Sequence, residues 1–302
     1  MTNSCTALVA AAAFVAVVSS SPAAQSQDLA LTFDDLPAHN DLPVGETRVG
    51  VISRLVAALA DAKAAPSYGF INAASAADNP AVLEIWRASG NRFGNHTWSH
   101  INLTEVPAEV FLAEVTRNEA TLRALSPDAD WRWFRYPYLA EGETPQKRKA
   151  VRDWLAESRY RVASVTLNFD DWAWNAPYAR CVARADEAAI ASLEASYMKA
   201  AADSLAAARK MSRTLYDRDI PLVLLMHVGA FDARMAPRLL AFYRDAGLRF
   251  VPLEDAQADP FYAPDSRSSA SPAPLGLEQA MIDRGLAPER VSQPADLMTL
   301  CQ

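Results

Sequence analysis

Between residues 28 and 253 the chain switches repeatedly from strand-like to helix-like patterning, and that alternation restricts its fold more than any other feature. Residues 28–35 alternate Leu29, Leu31 and Phe33 with other side chains, the period of two expected of a strand. Residues 46–64 then place Val49, Ile52, Leu55, Val56 and Leu59 on one helical face. The cycle recurs, predicting further strands at 68–72, 92–95, 131–136, 161–169, 221–226 and 248–253. Helices are predicted at 79–90, 107–125, 145–160, 186–216 and 237–246. Residues 222–226 are continuously apolar, as fits a strand buried on both faces. Strands joined through helices pair in parallel. The expected class is therefore α/β, with seven strands closing into a (β/α) barrel. From 259 to 276 Pro, Ser and Ala dominate, which predicts a linker and then an irregular tail with one short helix at 277–285.

Residues 8–18 read LVAAAAFVAVV, too short an apolar run to span a bilayer, and Pro22-Ala23-Ala24 follow as a small-residue cleavage segment. Residues 1–24 are therefore expected to be a signal peptide, although Met1 to Thr6 lack the usual positive charge. Residues 25–257 would form the catalytic domain and 258–302 the linker and tail. A secreted or periplasmic protein meets oxidising conditions, so the two cysteines left after cleavage, Cys181 and Cys301, are expected to pair. The net charge of −7 opposes nucleic-acid binding, and a monomer with no stable membrane span is expected.

Candidate chemistry lies where strands are predicted to end. His96-Thr97-Trp98-Ser99-His100 places two histidines four apart, a spacing that lets both face one side of a helical turn and share an ion; two surface histidines are the plain alternative. Asp34-Asp35 alone also reads as a helix cap or solvated turn. Two imidazoles with one carboxylate leave positions open on a divalent ion for hydrolysis, and the second aspartate is then free to act as a base. Arg135, Asp171 and His227 fall at further predicted strand ends, which is where an α/β barrel gathers its active site.

TFDD at 32–35, HTWSH at 96–100, RYPY at 135–138, DDW at 170–172 and LMH at 225–227 occur in that order. Together they resemble the motifs of the polysaccharide deacetylases of carbohydrate esterase family 4, the NodB-type deacetylases. The resemblance implies a distorted seven-stranded (β/α) barrel, the NodB-homology fold, acting on an acetylated glycan. By position, it implies Asp34 as base, Asp35, His96 and His100 as ligands of one divalent ion, and Arg135 as the group orienting Asp34. Zinc is the first choice of ion, with cobalt, iron, manganese or nickel as alternatives. The backbone N–H of Tyr138 would meet the oxyanion, and Asp171 would hold His227, the acid. Trp172 and Leu225 would wall an acetyl slot. Leu139 departs from the pattern, standing where a glycine often follows the third motif.

Other readings are an O-acetyl esterase on xylan, a hydrolase of this fold on a non-sugar amide, and a non-catalytic glycan binder. A binder would normally lack a ligand or the base, yet every such position is filled. An iron oxygenase accounts for two histidines and a carboxylate but not for Asp34, Arg135 and His227.

Overall fold

The computed structural model describes Met1, residues 26–263 and 276–289, Val291 and residues 293–302. The expected signal peptide and most of the linker lie outside the described residues.

Seven parallel strands form one sheet: β1 (Gln27–Leu36), β2 (Tyr68–Ile71), β3 (Arg92–Asn95), β4 (Trp133–Phe134), β5 (Arg161–Val162), β6 (Leu222–His227) and β7 (Leu248–Phe250). The order is β5-β4-β3-β2-β1-β6. Leu29 pairs with Leu222 of β6 and with Phe250 of β7, so those two strands flank β1 on opposite edges. β7 thus shares an edge with β2, pairing lower on β1.

β1 is more deeply buried than simple alternation predicts. Ala30 and Thr32 are as inaccessible as Leu29, because β1 is central and covered on both faces. Thr32 can be buried there since its hydroxyl donates to the Leu224 carbonyl at 2.6 Å, leaving no stranded polar group. Each large aliphatic side chain buried in β1 and β6 contributes about 1.5–3 kcal/mol relative to exposure.

The barrel closes only loosely. Residues 161–169 were expected as one strand, but the ladder ends at Val162. Ser164 turns its amide to Gln257 Oε1 at 3.1 Å, away from the sheet. Pairing resumes at Leu167, which bridges Leu224 and joins the two ends of the sheet. The fourth strand is likewise shortened, from the predicted 131–136 to Trp133–Phe134.

Helices cover the outside: α1 (Arg48–Asp61), α2 (Pro80–Ala88), α3 (Ala108–Leu125), α4 (Pro145–Glu157), α5 (Asn175–Ala183), α6 (Glu187–Tyr216) and α7 (Ala230–Asp245). Thr47, Thr144 and Asp186 each cap a helix by accepting a first-turn backbone N–H. α6 is a single 30-residue helix. α7 begins seven residues before the predicted start at 237, carrying Pro237 inside it. α5 was not anticipated, and it carries Cys181 as a fully buried residue. No described helix is long and apolar enough to cross a membrane.

Cys181 and Cys301 form the expected disulfide. Beside it, Arg180 donates to the carbonyls of Met298 and Leu300 at 2.9–3.1 Å. The tail turn Leu297–Thr299 packs against the turn Asp171–Trp174. The tail therefore buttresses that turn from behind. None of its described residues lines the cleft at the carboxyl ends of the strands.

Candidate active site

The carboxyl ends of β1, β3 and β6 open into a cleft of about 870 Å³, and Asp34, Asp35, His96, His100 and His227 all line it. Asp34 and Asp35 end β1, where a regular strand would send adjacent side chains to opposite faces. Asp35 takes φ 62°, and this left-handed turn brings both carboxylates to the same opening.

Arg135 is fully enclosed and fixed on every side. Its Nε donates to the Ala163 carbonyl at 2.7 Å, its Nη2 to Thr32 Oγ1 at 3.0 Å, and its Nη1 lies 3.4 Å from both Asp34 oxygens. The guanidinium also rests over the Phe70 ring, 4.8 Å from its centre. Burial pulls the Arg135 pKa down from its usual value, opposed by the adjacent Asp34 charge.

The HTWSH segment is a loop after β3, not the helical turn its spacing suggests. Thr97 and His100 adopt φ 65° and 59°, and these two left-handed residues turn the imidazoles toward each other. Buried amides hold the loop in place. Asn95 Oδ1 accepts from the Thr97 N–H at 2.9 Å, and Asn118 Nδ2 donates to the same oxygen at 2.9 Å. Asn72 Nδ2 donates to the His96 carbonyl at 2.6 Å. Glu114 accepts from the Ser99 amide at 2.8 Å.

His96 Nδ1 donates to the Arg135 carbonyl at 2.7 Å, which leaves Nε2 with a free lone pair. That Nε2 lies 3.6 Å from Asp35 Oδ1, and His100 Nε2 lies 3.3 Å from the same oxygen. Asp35 Oδ1 is buried with no hydrogen-bond partner. A buried carboxylate oxygen normally finds a donor. One left unpaired against two imidazole nitrogens fits a divalent cation, and Asp35, His96 and His100 form a candidate ligand group. Burial, followed by proximity to His96, lowers the His100 pKa to about 4, so its nitrogen offers a lone pair at neutral pH. Burial opposes the Asp35 charge, but the His39 hydrogen bond and the His96, His227 and His100 charges outweigh it and hold the pKa well below the usual range.

Across the cleft, His227 Nδ1 lies 2.9 Å from Asp171 Oδ1, and Asp171 Oδ2 accepts the His227 backbone N–H at 2.7 Å. Burial opposes an imidazolium there. The Asp171 charge and hydrogen bond, then the Asp35 and Asp34 charges, overcome it and raise the His227 pKa to about 10. Behind this pair Asn175 bonds Asp232 at 2.7 Å, and the Tyr197 hydroxyl donates to the other Asp232 oxygen at 3.1 Å. Burial, then the Asp171 charge, raises the Asp232 pKa well above its usual value.

Tyr138, Trp172 and Leu225 line the cleft. Tyr138 and Trp172 are exposed there, and Leu225 is buried. Leu139 adopts φ 52°, a conformation glycine takes freely, so leucine keeps the turn at a cost of about 1–2 kcal/mol.

Residues 22–156 match the polysaccharide deacetylase family model. This stretch is thus similar to the polysaccharide deacetylases. They are hydrolases of the amide or ester bonds of acetylated polysaccharides. The deacetylase fold is seen in solved structures too. A chitin deacetylase from the fungal pathogen Colletotrichum lindemuthianum is 19% identical, covers 77% of this chain and 88% of its own, and has a TM-score of 0.52. A T48 deacetylase solved with substrate is 19% identical, with 77% and 92% covered and a TM-score of 0.51. The peptidoglycan deacetylase PdaC from Bacillus subtilis is 18% identical, with 78% and 93% covered and a TM-score of 0.50.

The cleft contains one histidine that sequence reasoning passed over. His39 Nδ1 lies 2.8 Å from Asp35 Oδ2, and the ring lies tilted against His227 with centres 4.5 Å apart. Its spacing of four from Asp35 was visible, but it sits in a loop with no helical period to flag it.

Proposed function

We propose that this protein removes N-acetyl groups from an N-acetylglucosamine-containing polysaccharide and releases acetate, with one divalent ion, zinc by preference, held by Asp35, His96 and His100. The observation that carries the reading is the unpaired Asp35 Oδ1, facing two imidazole nitrogens with a carboxylate–arginine pair on one side and a carboxylate–histidine pair on the other.

An ion bound there supplies Lewis acidity toward the acetyl carbonyl oxygen. The protein supplies the proton transfers. Asp34, held by Arg135, takes a proton from the attacking water. The Tyr138 backbone N–H donates to the oxygen that becomes negative, and fixed donors of this kind act most strongly in a site shielded from water. His227, protonated and tied to Asp171, gives its proton to the departing nitrogen. An amine leaves poorly unless protonated, and the raised His227 pKa keeps a proton available there at neutral pH. Trp172 and Leu225 wall the slot for the methyl group.

The proposal extends to a secreted or periplasmic monomer, which the disulfide and the apolar run at 8–18 support. Acetate release should be measured on peptidoglycan, chitin oligomers, an exopolysaccharide and acetylated xylan, before and after chelation and zinc repletion. Zinc-dependent release from an N-acetylated glycan is expected. Release from xylan alone, or release indifferent to chelation, overturns the proposal.

A further inference from the structure

We infer that His39 is a positioning residue that restricts Asp35 to a single metal-binding oxygen, Oδ1. The inference rests on the proposed metal site and extends it to a residue outside the ligand set.

The hydrogen-bond pattern leaves His39 one arrangement. Asn40 Nδ2 is 2.9 Å from His39 Nε2, and an amide NH2 can only donate, so Nε2 accepts. The His39 hydrogen then resides on Nδ1, 2.8 Å from Asp35 Oδ2, and a carboxylate oxygen can only accept. Donor and acceptor requirements at the two ring nitrogens agree. Asp35 Oδ2 is thereby engaged, and Oδ1 remains as the oxygen facing His96 and His100.

His39 is itself anchored. Arg48 Nη1, at the start of α1, donates to the His39 carbonyl at 2.7 Å, and Arg48 Nη2 donates to the Asn40 carbonyl. The second Asn40 Nδ2 hydrogen reaches the Trp172 carbonyl at 3.4 Å. The loop after β1 is thus tied both to α1 and to the turn that carries Asp171.

Asp35, His39 and His227 are also close enough to suggest a second ion. Their hydrogen bonds argue otherwise. The His39 and His227 rings are tilted at 37° with centres 4.5 Å apart, and His39 Nδ1 is committed to Asp35 Oδ2 at 2.8 Å. Asp171 already occupies His227 Nδ1, and His227 Nε2 is 4.0 Å from Asp35 Oδ2. A hydrogen bond between His39 and Asp35 describes the contact better.

The test measures zinc affinity and stoichiometry on the demetallated chain, by competition with a chelating dye, for wild type, His39→Ala, His39→Asn and Asn40→Ala. Partners that orient a metal ligand are typically worth 10–100-fold in affinity. His39→Ala should weaken zinc binding by about 10–100-fold at an unchanged stoichiometry of one. Asparagine can place an amide N–H near the original Nδ1, so His39→Asn should recover most of the loss. Asn40→Ala leaves the ring in place but frees its hydrogen, and it should fall between them. Asn40 is exposed, so that variant carries the test should His39→Ala not fold. Affinity within twofold of wild type in both alanine variants overturns the role of His39. Two ions on wild type and one on His39→Ala overturns it as well, making His39 a ligand. No ion on wild type overturns the metal reading beneath it.

Discussion

Asp34 and Asp35 are neighbours on one strand, yet their carboxylates lie 3.7 Å and 3.6 Å from the same atom, His96 Nε2. A regular pleat forbids this, and the left-handed Asp35 backbone permits it. The two acids then diverge in surroundings. Asp34 faces Arg135, whereas Asp35 sits among His39, His96 and His100.

That divergence predicts separable phenotypes. Asp34→Asn should bind zinc normally and lose kcat by roughly 10²–10⁴-fold, the usual worth of a positioned base. Asp35→Asn should lose zinc together with activity. Metal content and single-turnover rates on the same preparations decide the matter; equal metal loss in both variants would reverse the assignment.

As the proposed acid, His227 is expected to set the alkaline side of the pH profile. An acid works while protonated, so activity should fall as pH rises through its pKa. Asp171, Asp35 and Asp34 raise that pKa from 6.5 to about 10, and a cation on Asp35 removes part of their field. The alkaline limb of kcat/KM in the zinc enzyme should therefore lie between those values. Asp171→Asn should move it to lower pH, and His227→Ala should abolish it. A limb unmoved by either change assigns the acid to another group.

The disulfide spans a sequence separation of 120, for which loop-closure entropy gives about 4–5 kcal/mol as an upper figure. Mature protein, cleaved before residue 25 and isolated without reductant, should show no free thiol and migrate as a monomer. Dithiothreitol should lower Tm and release two thiols per mature chain. A reductant-sensitive dimer contradicts the intramolecular bond.

Gly229 precedes α7, and a Cβ there would lie 2.1 Å from Asn175 Oδ1, the acceptor of the Phe231 N–H. Gly229→Ala should destabilise the protein by about 1–3 kcal/mol, since a packed interior resists an added carbon. Thermal unfolding reports this directly, and an unchanged Tm shows that Asn175 can yield.

Much of this was legible from local pattern. Alternation in β1 and the apolar run of β6 located these two paired strands, and short motifs at strand ends marked residues that the fold gathers at one cleft. What escaped depends on tertiary contacts. The spacing of His96 and His100 suits a helix, but Asn95 and Asn118 hold the segment as a loop. The strand predicted across 161–169 breaks because Gln257, distant in sequence, takes both the Ser164 amide and the Val162 carbonyl. His39 lacked a motif, and only folding reveals its contact with Asp35.

The chain has four histidines, and all four line one cleft. Every imidazole signal in a proton or nitrogen NMR spectrum of the untagged protein is therefore an active-site signal. Titrating zinc or a glycan into the unmodified chain would report on each of these rings separately, with no structural histidine elsewhere to obscure the response.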